Sequence, residues 1–194
     1  MRNYDEANRA IESARENIVT MVRRKEEYAT IIRGIEGDIE AKCEDVKNQI
    51  KELKNQYKVA AIDIDRDCTL KVYTDPITIH TEEYGEHYIG KFRINIKLGS
   101  TDIIFKNLDN QRPGFWGPFT QHPHIDDHGK PCWGNVASTV AELQGSYQLV
   151  PLVNVLVSYL ESVNLDDAAG EMVWAWGAEP GTSYRQRQKV ECRQ

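Results

Sequence analysis

The stretch TLKVYTDPITIHTEEYGEHYIGKFRINIKL, residues 69–98, decides the fold class of this chain. Within it TLKVYTD, ITIHTEEY and KFRINIKL are runs rich in β-branched and aromatic residues, punctuated by Asp75, Pro76 and Gly90. That texture predicts short strands joined by turns. KVAAIDID, just upstream, reads the same way, so an antiparallel meander is expected from Val59 onward. Further along, LVPLVNVLVSYLESVN (149–164) changes period: Leu149, Leu152, Val153, Leu156, Val157 and Leu160 share one wide helical face. Strands followed by a helix that packs on them predict an α+β domain.

Upstream, from about Asp5 to Tyr57, the pattern is helical. Ile11, Ala14, Ile18, Met21, Tyr28, Ile32, Ile35 and Ile39 trace one stripe in steps of three and four or their sum. After Ile39 the stripe takes a further four-residue step to Cys43 and runs on through Val46, Ile50, Leu53 and Tyr57, as a stutter in a heptad pattern does. Gly34 and Gly37 each cost about 1 kcal/mol relative to Ala inside a helix. RGIEG therefore suits either a long, slightly kinked helix or the bend of an antiparallel helical hairpin, and the two readings stand equal. Interleaved acids and bases form a solvated face around the seam, which suits packing or self-association into a homo-oligomer and not catalysis. The expected organisation is a helical, coiled-coil-like extension over 1–58, an α+β domain over 59–180, and a polar, flexible tail over 181–194 that includes the basic RQRQK.

Composition excludes several classes. With 194 residues, 40% hydrophobic and 28% charged, the chain has the balance of a soluble globular protein. No apolar run is long enough to span a bilayer. A net charge of −6 without clustered Lys and Arg offers no footprint for nucleic acid. MRNYDEANRAIESARENIV lacks the basic start and apolar stretch of a secretory signal, so a cytoplasmic location is expected, with no membrane partner. Four scattered cysteines without a CxxC pair read as thiols and not as a disulfide framework. Cys43 and Cys68 read as small core hydrophobes; Trp116, Trp174 and Trp176 read as packing aromatics.

Chemistry concentrates in HPHIDDHGKPCWGN, residues 122–135. Two prolines fix φ and Gly129 permits a turn, so this loop-like segment should present its side chains in set directions. Cys132 lies there beside groups that could stabilise a thiolate or a developing negative charge. A zinc site of His122, His124, His128 and Cys132 is the competing reading. HxHxxxHxxxC lacks the usual paired-ligand spacing, so neither a metal nor a cofactor is expected, and His128 reads as an exposed turn residue.

This segment resembles the signature of the ubiquitin-conjugating enzyme family: His-Pro-Asn-Ile, a short turn containing Gly, and a reactive cysteine ten residues after the His. His122, Pro123, Ile125, Gly129 and Cys132 match in identity and spacing. EYGEHYIGKFRINIKL is similar to the family's Tyr-Glu-Gly-Gly-x-Phe segment, with Tyr88, Gly90 and Phe92 in the corresponding places, and LVNVLVSYLESVNLDD is similar to the helix and Asp-Asp turn that follow the cysteine. The resemblance covers about Thr69 to Gly170. It departs from the family in four respects. His124 stands where the family has Asn, the Tyr-Pro-x-x-Pro-Pro segment is not recognisable in residues 99–119, no Trp follows at the usual short distance, and the final helices are replaced by EMVWAWGAEP and the tail. These mark a divergent, bacterial or viral type of member.

The resemblance implies a UBC-like fold and a transferase of the ubiquitin-like conjugation pathway. Cys132 would carry a ubiquitin-like protein as a thioester received from an activating enzyme. His124 would stabilise the oxyanion formed when an amine of a target attacks, and Asp167, or alternatively Asp166, would orient the amine. His122 would support the loop by hydrogen bonding and Trp133 would shield the thioester, with a ligase as a further partner. The rival expectation is a non-catalytic UBC-like adaptor that assembles through its N-terminal helices, since fold alone does not fix activity.

Overall fold

The computed structural model describes residues 2–82, 85–109, 121–165, 173 and 176. They form an α+β protein: one long helix, antiparallel strands, then two short helices. Helix α1 runs without interruption through Arg2–Leu53. The helical-hairpin alternative is thus set aside. Gly34 and Gly37 stay helical, with open space around each of them, and the rest of RGIEG supplies no turn residue that would reverse the chain. Pairs one turn apart, such as Arg15–Glu12 at 2.8 Å and Lys47–Glu44 at 3.3 Å, line its exposed surface.

The chain divides into two compact units, Met1–Lys47 and Asn48–Gln194. The last turn of α1 belongs to the second unit, where Leu53 is fully buried and Gln49 both donates to the Tyr147 carbonyl and accepts from the Val150 N–H.

Among the described residues six strands follow: β1 (Val59–Ile64), β2 (Thr69–Thr74), β3 (Ile77–Thr81), β4 (Gly85–Gly90), β5 (Phe92–Lys97) and β6 (Ile103–Asn107). A four-stranded antiparallel sheet has the order β1-β2-β5-β6, and β3 pairs with β4. The second pairing continues the first. Tyr73 faces Arg93 and, past the break, Thr78 faces Tyr88, so β2–β3 and β4–β5 are the two arms of one bent hairpin in a meander. The bend has a local cause. Pro76 has no N–H to give to a ladder, and Gly90, the partner of Ile77, sits at φ +126°, a conformation other residues resist. Strand β6, in a stretch that carried no recognisable pattern, completes the sheet.

Alternation along β2 and β5 sends Leu70, Val72, Phe92, Ile94 and Ile96 into the core. A 3-10 turn (Gly134–Val136) leads into α2 (Ala137–Gly145) and then α3 (Leu149–Glu161). Pro151 is tolerated in the first turn of α3 because the N–H it lacks has no intrahelical partner there. The six residues expected on the apolar face of α3 are all buried. Trp176 is buried too, and the Nδ1–H of buried His87 donates to its carbonyl at 2.8 Å. Among the described residues no helix is long and apolar enough to cross a membrane.

Cys43 and Cys68 are exposed, which corrects their expected place in a core. Cys43 lies on an exposed stretch of α1, and Cys68 occupies the exposed β1–β2 turn at φ +60°.

Candidate active site

The turn carrying Cys132 is held by buried polar groups beneath it. Asp126 closes its tip: one carboxylate oxygen accepts from the backbone N–H groups of His128 (2.9 Å) and Lys130 (2.7 Å), while its own N–H donates to the Lys130 carbonyl. Buried Gln121 donates to the carbonyls of Asp126 and Asp127, and its own side-chain oxygen accepts from the Asn107 N–H on β6. Gly129 then lies flat on the sheet. Its carbonyl accepts from the Phe105 N–H at 2.9 Å, and a Cβ added at its φ of +82° would come within 2.1 Å of the Phe105 carbonyl oxygen. Only glycine permits this approach.

His122 anchors the other end. Its Nε2–H donates to the Leu160 carbonyl, one of the carbonyls that α3 leaves unsatisfied at its C-terminus, and its Nδ1 accepts from the His124 N–H. This pair of bonds fixes the neutral tautomer. Complete burial holds the pKa of His122 down at about 3, aided by neighbouring His124 and opposed by the Leu160 carbonyl. His122 is a structural hydrogen-bonder, not a base.

Between these anchors the chain doubles back. The Cys132 N–H donates to the His124 carbonyl at 2.9 Å, and the Tyr159 hydroxyl, from α3, lies 2.9 Å from the same carbonyl and 3.0 Å from that of Cys132. The thiol of Cys132 is exposed. It lines a groove of about 710 Å³ with His124, Trp133, Asn135, Ser158 and Asn164. Half-buried Trp133 packs 5.3 Å from the ring of Tyr159 and edge-on to Phe105. The backbone N–H of Asn164 donates to His124 Nε2 at 3.0 Å, so the proton of a neutral His124 ring resides on Nδ1.

Cys132, His124 and Trp133 thus share one groove, and His122 supports it from below. Asp166 and Asp167 lie outside the described residues. The histidines do not converge on the sulfur as zinc ligands would, since His122 has both ring nitrogens bonded to backbone groups and His128 pairs with Asp127 at 2.7 Å. Among the described residues the carboxylates and imidazole spaced as metal ligands are Asp126, Asp127 and His128, at the exposed tip of the turn.

Four residues escaped sequence reasoning: Gln121, Asn107, Tyr159 and Asn164. Tyr159 left a trace, as a hydroxyl on the otherwise aliphatic face of α3; Gln121 adjoins the HPHI motif with no spacing rule to mark it. Tyr88 donates to Asp109, and burial followed by that bond pushes the Tyr88 pKa up to about 12. No family model, curated protein or solved structure matches the chain.

Proposed function

We propose that the Asn48–Gln194 unit is a ubiquitin-conjugating-type, UBC-like domain that carries a ubiquitin-like protein as a thioester on Cys132 and transfers it to an amine. The observation that carries this reading is the exposed thiol on a turn tied down on both sides, by His122 to α3 and by Gly129 to β6, beside a groove with room for an extended peptide tail. A nucleophile so fixed loses little freedom on reaching its transition state.

In the first step the Cys132 thiolate attacks the thioester carbonyl presented by an activating enzyme. A new S–C bond forms, the old C–S bond breaks, and the activating enzyme's sulfur departs as a thiolate. An amine of the target then attacks the Cys132 thioester. The N–C bond forms, negative charge passes to the carbonyl oxygen, and the collapse expels the Cys132 thiolate. His124, with its ring proton on Nδ1, is the donor assigned to that oxygen, in a position where an amide would serve elsewhere. The amine must lose a proton, because a free lysine near pKa 10.4 is mostly charged at neutral pH. By the resemblance Asp167, with Asp166 as its alternate, takes that role. Trp133 covers one side of the thioester and limits water.

The test is direct. The protein is incubated with an activating enzyme, its modifier and ATP, and run on a non-reducing gel. A thiol-sensitive adduct lost in Cys132→Ala, and replaced by a thiol-resistant one in Cys132→Ser, is the expected result. If no modifier can be charged and Cys132→Ala leaves the protein's biological activity intact, the adaptor reading takes its place.

A further inference from the structure

Along α1 two series run seven residues apart: Ile11, Ile18, Lys25, Ile32 and Ile39, and, offset by three, Ala14, Met21, Tyr28 and Ile35. All lie on exposed helix. Every described residue from Ile11 to Asp45 is exposed, and the large apolar members of the two series keep between 51% (Ile11) and 68% (Met21) of their surface. A helix of this length draws its stability mainly from packing of its apolar stripe, and among the described residues this one is left uncovered.

We infer that a second copy of this chain covers it, in a parallel, two-stranded coiled coil over Ile11–Ile39. Three observations select that occupant. The repeat is seven, held over four heptads and about 42 Å of helix; a straight α-helix drifts by about 20° per heptad, so so strict a repeat serves a partner helix that supercoils with it and not a flat globular surface. The first heptad position is β-branched Ile in every case but one, the choice that favours two parallel strands. The exception, Lys25, meets its own counterpart only in register, where both ammonium groups can reach water along their stems; a slip by one heptad sets each lysine against Ile18 or Ile32. The outward positions agree. Glu16, Arg23, Thr30 and Glu44 are polar, and both glycines, Gly34 and Gly37, fall on that side with open space around them.

Sedimentation equilibrium on the full chain at tens of micromolar should give twice the 22.2 kDa chain mass, 44.4 kDa. The double variant Ile18→Glu/Ile32→Glu should sediment at 22.2 kDa with the thermal transition of the Asn48–Gln194 unit unchanged, while the outward control Thr30→Glu stays dimeric. Wild-type chain at 22.2 kDa overturns the inference, as does an Ile18→Glu/Ile32→Glu chain that remains a dimer, and a wild-type mass above 44.4 kDa overturns the two-stranded form. Orientation is read separately. Ala14→Cys, in a chain whose native cysteines are serine, should form a disulfide-linked dimer on mild oxidation, and failure to do so in a dimeric protein overturns the parallel arrangement.

Discussion

The hydroxyl of Tyr159 reaches the carbonyl oxygens of both His124 and Cys132, at 2.9 and 3.0 Å, and so holds together the two strands of chain on which the proposed donor and nucleophile sit. One hydroxyl proton serves two acceptors here, and the Cys132 N–H adds a third bond to the same cluster by donating to the His124 carbonyl. The groove side of α3 thereby sets the separation of residues 124 and 132.

Removing that hydroxyl should loosen the pair without unfolding the domain. Tyr159→Phe leaves two partly buried carbonyls with one donor fewer, a loss of about 1–2 kcal/mol. The expected outcome is a melting temperature lower by about 3–6 °C and Cys132 thioester formation slowed about tenfold, read by thermal denaturation and by single-turnover charging. Unchanged values for both would show that the hydroxyl does not position the turn.

His122 makes stability depend on pH. Unfolded, it takes up a proton near its ordinary pKa of 6.5; folded, only near 3. Between those values the unfolded chain holds more protons than the native one, so stability is full above about pH 6.5 and is lost as pH falls toward 3, by about 1.4 kcal/mol per unit and on the order of 5 kcal/mol across the window. Urea denaturation from pH 7 to 4.5 should show this slope, and His122→Gln should be less stable at pH 7 with the slope reduced by about one proton.

Gly129→Ala is expected to be severe. The added methyl meets the Phe105 carbonyl in a backbone conformation that L-residues resist, which costs about 3 kcal/mol or more. The melting temperature should drop by about 10 °C and, on the proposed function, Cys132 charging should fail at temperatures where the wild-type domain stays folded. Asp127→Ala, at the exposed tip of the same turn, should leave both readouts near wild type.

In α1 the opposite sign is expected. Gly34 and Gly37 are helical with open space where a Cβ would go, so Gly34→Ala and Gly37→Ala should each stabilise the helix by about 1 kcal/mol. Circular dichroism should show more cooperative melting of the helical signal, with the mass of the protein unchanged.

Much of this was legible from local pattern. Periodicity marked the strand runs around β1, β2, β3 and β5, the buried face of α3 and the stripe on α1, because a period of two or of three and four is imposed by backbone geometry and survives in any tertiary setting. A rigid turn around residues 122–135 was likewise legible, since the prolines and Gly129 constrain their own backbone, and the resemblance singled out Cys132 within it. Strand β6 left no such mark: with five residues, it is made a strand by pairing with β5. For Cys43 and Cys68, burial depends on where an element faces and not on residue type, so residue type alone misplaced them.

Sequence by itself determined the α+β class and the helical N-terminal region, properties of residues near one another along the chain, whereas the choice of Cys132 as candidate nucleophile came from the family resemblance. Tertiary structure alone decided that β2–β3 and β4–β5 bend as one hairpin, and that Tyr159, Gln121 and His122 hold the Cys132 turn. The physical reason is separation. Those hydrogen bonds join groups as far apart as the 38 residues between His122 and Leu160, and no local rule of spacing constrains a partner brought in by the fold.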